Sequence, residues 1–208
     1  MSTMRNGRGG SVEGVQGKDE VRERILRTAS ELFYSEGAHA VGVDLVVERA
    51  GVAKTSLYRH FGSKDDLIAA FLHNEDEEFW KHWESVAQQH QSDAQAELDA
   101  HMQSIAERVG RRNYRGCPQL NIAAEFPDAT HPARVIALSH KQRLRRYLEE
   151  IAGRLHVRRP HELAAQLLLL VNGAFVSSSV IGAEEAPSVL VGAAHALVTA
   201  ARSPLKSI

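Results

Sequence analysis

Between Arg49 and Lys64 every charged side chain is a cation: Arg49, Lys54, Arg59 and Lys64, with no acid among them. The whole chain carries a formal net charge of −1, so this positive field is local and favours phosphate rather than reflecting bulk composition. Thr55, Ser56, Tyr58 and His60 are interleaved with the cations, and their hydroxyls and ring nitrogens can donate and accept hydrogen bonds. Fixed positive charge beside short hydrogen-bonding side chains is the chemistry of a nucleic-acid surface. Cations set register on phosphates, and polar tips read base edges.

Periodicity supplies the elements that position these groups. Leu57 and Phe61 set the inward side of a helix over Lys54 to Phe61. At about 100° per residue, Thr55 and Arg59 then project outward, flanked by Ser56 and Tyr58. Val43, Val46, Val47 and Ala50 predict a short helix before it, ended by Gly51. Val21, Ile25, Ala29, Leu32 and Phe33 predict a first helix, with Asp19 as its N-cap and Gly37 as its stop. Two short helices across a glycine turn form a helix-turn-helix, the second helix entering the major groove. A helical hairpin with a basic solvated face fits the same pattern, and the residues alone leave both open.

Gly62 ends the third helix. Ser63 and Asp66 give a capping-box pattern for a long fourth helix, with Leu67, Phe71, Phe79 and Trp83 on its apolar side and acids from Glu75 to Glu78 exposed. Further breaks are expected at 116–118, 127–132, 156–160 and 182–187, and no stretch alternates as a strand does. The expectation is an all-α protein of about nine helices. Residues 1–17, glycine-rich with Arg5 and Arg8, form a disordered arm; 18–64 form the helix-turn-helix domain; and 65–208 form a second domain for ligand binding and dimerisation.

With 208 residues, 43% hydrophobic and 25% charged, the chain has the material of a soluble globular protein. Cys117 is the single cysteine, which excludes an internal disulfide and fits a cytoplasmic protein. Residues 163–183 lack charge, yet Gln166, Asn172 and Ser177 to Ser179 argue for a buried helix rather than a membrane span. No nucleophile elbow, phosphate-cradling glycine loop or metal-protease helix is present, so no catalytic residues are assigned. His73 with Glu77, and Glu78 with His82, have i, i+4 ligand spacing, but neither pair has a third ligand; no metal or other cofactor is expected.

Ala50-Gly51-Val52, Lys54, Ser56-Leu57-Tyr58, His60-Phe61 and Ser63-Lys64-Asp65-Asp66-Leu67 together closely resemble the DNA-binding head of the tetracycline-repressor (TetR) family. Leu32-Phe33 and Gly37 also stand where that family has them, and the resemblance spans roughly Val21 to Leu72. It implies a homodimer of all-α subunits whose heads bind a double-stranded operator. It also implies a body whose pocket takes a small-molecule effector, so the expected function is a ligand-released repressor, with an activator or a redox- or metal-responsive regulator as the alternatives. Carried over by position, Lys54, Tyr58, His60 and Lys64 contact phosphates, while Thr55, Ser56 and Arg59 face bases. Two positions depart from the pattern. Val41 and Gly42 stand where the family has a threonine or serine, and Ala53 replaces a serine that would cap the third helix.

The resemblance places the dimer interface on the last two helices, 162–181 and 187–201. Leu167, Leu170, Ala174 and Ser177, with Leu190, Ala194, Leu197 and Ala201, form stripes suited to close approach. An effector pocket is expected among Phe79, Trp80, Trp83, Met102, Phe126 and Phe175, with Asn121, His140 and Asn172 as polar handles. Cys117 opens a helix, where the dipole lowers a thiol pKa; the choice is between a redox sensor and an inert buried thiol.

Overall fold

The computed structural model describes residues 12–177 and 180–202. The described residues form nine α-helices and no strand: α1 (Val12–Glu36), α2 (Val43–Ala50), α3 (Lys54–Phe61), α4 (Lys64–Gln89), α5 (Ala94–Val109), α6 (Pro118–Glu125), α7 (Pro132–Arg154), α8 (Pro160–Ser177) and α9 (Ala186–Arg202). The chain divides after Phe71 into two compact units. The first unit takes in the opening turns of α4, seven residues beyond the boundary expected at Lys64. Leu67, Ile68 and Phe71 on those turns are buried, and the Phe71 ring meets Phe33 edge-on at 5.9 Å.

In the first unit, Ile25, Ala29, Leu32 and Phe33 of α1 are buried together with Val46, Ala50, Leu57 and Phe61, matching the predicted inward faces. Helix α1 begins seven residues earlier than the N-cap expected at Asp19. Gly14 and Gly17 weaken a helix by roughly 1 kcal/mol each but, unlike proline, leave its hydrogen-bond ladder intact. The expected arm is therefore helical from Val12 on, and residues 1–11, with Arg5 and Arg8, lie outside the described residues.

Gly51 ends α2 in the left-handed region (φ 62°), where its N–H donates to Glu48 O and the Val52 N–H reaches back to Val47 O at 3.1 Å. Gly62 (φ 64°) turns the chain into α4. A Cβ there would sit 2.9 Å from Asp66 Oδ2, the tip of a side chain that can shift, so the turn requires glycine for its conformation. Ser63 caps α4 by accepting the Asp66 N–H at 3.0 Å. The reciprocal half of the capping box is altered, because the Asp66 carboxylate accepts from the Ser63 hydroxyl at 2.7 Å rather than from the Ser63 N–H.

The second unit is a helical body in which α7 packs on α6 and α8, and α9 on α5 and α8. Leu98, Met102, Leu144, Leu148, Leu167, Val171 and Phe175 belong to one continuous core with Trp80 and Trp83. A turn at 90–93 separates α4 from α5, and Asp93 caps α5 by accepting from Gln95 N and Ala96 N. Among the described residues no helix is long and apolar enough to cross a membrane.

Candidate nucleic-acid interface

Helix α3 is anchored by Leu57 and Phe61, buried in the first unit, with the Arg22 guanidinium 5.1 Å above the Phe61 ring. That anchor fixes the outward phase. Thr55 and Arg59 are exposed, Tyr58 is 43% exposed although its ring is large and apolar, and Ser56 and His60 are half-buried. Neither Gly42 nor Ala53 makes a side-chain cap, so α2 and α3 begin with backbone donors that only water or an incoming anion can satisfy.

The expected phosphate-binding lysines already have protein partners. Lys54 Nζ lies 2.7 Å from Asp44 Oδ1, with both side chains more than half exposed. The hydrogen bond and charge of Asp44 raise the Lys54 pKa above its ordinary value. Asp44 is thus a functional neighbour that sequence reasoning missed. It lies outside the acid-free stretch in sequence, but the crossing of α2 and α3 brings it back. Lys64 Nζ donates to His39 O at 3.3 Å, tying the start of α4 to the α1–α2 loop. Both interactions are solvent-exposed, where such contacts are weak. His60 Nε2 is buried without a partner.

The body brings some of the expected pocket residues together and separates others. Phe79, His140 and Phe175 meet around a cavity of about 10 Å³, room for a single water-sized molecule. Trp83 stacks on Phe79 at 5.7 Å and on His101 with ring centroids 3.6 Å apart, and Met102 is fully buried core. Asn121 holds the chain before α6 by donating to Arg115 O at 3.0 Å, and Phe126 stacks on His131 at 4.2 Å, so both serve loop structure. Asn172 is partly buried with its Oδ1 unpartnered.

His140 Nδ1 pairs with Asp76 Oδ1 at 2.5 Å, and Trp80 Nε1 donates to the same oxygen at 2.9 Å. Burial lowers the His140 pKa to about 4 against the opposing pull of Asp76. Burial, reinforced by the charges of His82, His90 and Arg154, lowers His101 to about 3. His101 under Trp83, Asp76 beside His140 and Lys141 beside Cys117 are contacts between helices that the sequence does not reveal.

Of the expected interface stripes, Leu167, Leu190 and Ala194 are buried within their own unit. Helix α8 is apolar on most sides, so periodicity could not choose its outward phase. Leu170, Ala174 and Ser177 line a cleft of about 250 Å³ with Leu190, while Leu197 and Ala201 are half-buried. The outward apolar residues are Leu169 at 72% and Val176 at 69% exposure. Among the described residues no three His, Cys, Asp or Glu side chains gather closely enough to hold a metal ion.

Comparison with known proteins bears on both units. Residues 25–71 match the family described as bacterial regulatory proteins, tetR family. The chain is 49% identical over 55 residues, 26% of its length, to the HTH-type transcriptional activator FasR of Mycolicibacterium smegmatis, and the match spans 25% of that relative. Solved structures match over most of both chains. A TetR-family transcriptional regulator from Streptomyces coelicolor superposes with a TM-score of 0.84 at 29% identity, covering 89% of this chain and 97% of that one. A protein assigned as a TetR transcriptional regulator from Streptomyces avermitilis gives a TM-score of 0.74 at 31% identity, covering 87% and 97%.

Proposed function

The chain belongs to the TetR family of transcriptional regulators, and from that premise we propose that it is a homodimeric repressor, released from its operator when a small molecule binds the body. The observation that carries the DNA-binding reading is the outward face of α3, where Thr55 and Arg59 stand exposed on a helix anchored by Leu57 and Phe61. Thr55, Ser56 and Arg59 read base edges, and Lys54, Tyr58, His60 and Lys64 contact phosphate, the two lysines exchanging Asp44 and His39 O for DNA oxygens. The uncapped start of α3 adds backbone N–H groups as a further phosphate site.

Family members act as dimers, and here the apolar residues Leu169 and Val176 turned outward from α8 support pairing through the last two helices. Dimerisation matters because two heads must meet successive major grooves about 34 to 36 Å apart. An effector lowers DNA affinity only by binding better to the state whose heads are spaced otherwise. The effector site is proposed in the body around Phe79, His140 and Phe175. The cytoplasm, where the DNA is, is the proposed place of action.

Activation is the second reading, favoured by the 49% identity of the head to that of an activator. Transcription from the gene's own upstream region, run in vitro with and without the protein, separates the two. Repression predicts less transcript on addition, and more transcript contradicts it.

A further inference from the structure

Cys117, at the start of α6, is 7% exposed, and its Sγ accepts a hydrogen bond from Lys141 Nζ of α7 at 3.7 Å. The same Nζ lies 4.9 Å over the Phe175 ring. Cys117 and Phe175 both line the cavity of about 10 Å³ described above, together with Glu75, Arg108, Gln119 and His140. Two acceptors on its wall have no partner. Gln119, 3% exposed, donates its Nε2 to Leu72 O at 3.2 Å, which fixes its unpartnered Oε1 as an acceptor. His140, 4% exposed, donates Nδ1 to the Asp76 carboxylate, which leaves its unpartnered Nε2 as an acceptor. Buried polar atoms without partners are costly and rare. Two acceptors at one water-sized cavity suit a small molecule with O–H groups, and the thiol beside an amine suits one that reacts with nucleophiles.

We propose that Cys117 and Lys141 are a covalent binding site for a one-carbon aldehyde, formaldehyde, captured as a methylene bridge between Sγ and Nζ. The thiol adds across the carbonyl: the S–C bond forms and the thiol proton ends on the oxygen, giving a hydroxymethyl thioether. The Lys141 amine then displaces that hydroxyl. The N–C bond forms, the C–O bond breaks, and the hydroxyl leaves as water with one amine proton. No electrons are gained or lost, so no oxidant is needed. The single hydroxyl of the intermediate donates to either Gln119 Oε1 or His140 Nε2, and the water it becomes carries two O–H donors, one for each acceptor. Burial lowers the Lys141 pKa from its ordinary value, although Cys117 opposes it, and so favours the neutral amine that attacks.

Geometry selects this electrophile over an oxidant. Joining sulfur to nitrogen directly would close more than half of the 3.7 Å gap, whereas one bridging carbon spans most of it. With room for about one water-sized molecule, the cavity favours the smallest aldehyde. The inference rests on the effector reading above only for its consequence at DNA. The bridge is measured on the protein alone, so its failure leaves the DNA reading untouched, and failed operator binding leaves the bridge measurable.

The test treats the purified full chain with a few-fold excess of isotopically labelled formaldehyde, followed by intact mass and peptide mapping. A net gain of one labelled carbon is expected, located in a peptide joining Cys117 to Lys141. Cys117→Ser and Lys141→Arg, each checked for unchanged helicity, are expected to lose it. The wild-type map decides the matter even if a variant misfolds. Addition of the whole aldehyde at Cys117 without Lys141 would overturn the proposal, as would a first bridge elsewhere at the same dose. It would also fall if hydrogen peroxide removed two hydrogens across this pair while formaldehyde left it unmodified.

Discussion

Lys54 and Lys64 in the first unit and the buried polar groups of the second are kept in opposite states. In the first, Lys54 and Lys64 hold partners at the surface that water or phosphate can replace, and Thr55 and Arg59 stand exposed. In the second, His101, His140, Glu97 and Gln119 are buried, with partners fixed by packing or missing altogether. A surface made to exchange partners suits a large charged ligand that brings its own oxygens. A buried set with fixed geometry suits recognition of something small, and its protonation is tied to folding.

The comparison breaks most visibly if a body residue can be removed without cost. Trp83 is 3% exposed and stacks on His101, so Trp83→Ala should destabilise by about 3–5 kcal/mol, read by denaturant titration. A loss below about 1 kcal/mol would deny that this core is close-packed.

Acid should follow. His101 and His140 have folded pKa values of about 3 and about 4, below the usual 6.5, so between those values the unfolded chain binds protons that the folded chain does not. Stability is therefore full above pH 6.5 and falls as pH drops, down to about 4 for His140 and about 3 for His101. Each histidine contributes about 1.4 kcal/mol per pH unit. Gln at both positions should flatten this dependence, and an unchanged profile would show that carboxylates dominate it.

The effects expected in the head are smaller and appear in DNA affinity rather than stability. Lys64→Ala should weaken binding to all sequences alike and lower the salt slope by about one. Asp44→Asn should act weakly the other way. Freed from its 2.7 Å partner, Lys54 meets phosphate without giving up an ion pair, so affinity for random DNA should rise slightly and the salt slope steepen. Weaker binding by Asp44→Asn would instead mean that Asp44 positions Lys54.

The same contrast explains what the sequence reveals. The head is readable because its signals are local: Leu57 and Phe61 set a phase, Gly51 and Gly62 mark ends, and Ser63 marks a start, all within one short stretch. Where a signal is distributed, it fails. The turn at 90–93 carries neither glycine nor proline and is marked only by the cap of Asp93. The outward side of α8 cannot be chosen from a helix with Leu167 to Val171 in series, and Leu167 proves to be core while Leu169 is exposed. Asp44 beside Lys54, Lys141 beside Cys117 and His101 under Trp83 are pairings across helices, which no periodicity encodes.

The central claim, that α3 reads DNA through its exposed face, is tested most directly by anisotropy titrations of the full chain against its own upstream region and against random duplex. Wild type and Arg59→Ala would be compared over a range of salt. The account predicts tighter, strongly salt-dependent binding to the upstream region, and for Arg59→Ala a loss of about 1–3 kcal/mol confined to that sequence. Equal affinity of wild type for both duplexes, or an equal loss on both for Arg59→Ala, would contradict it.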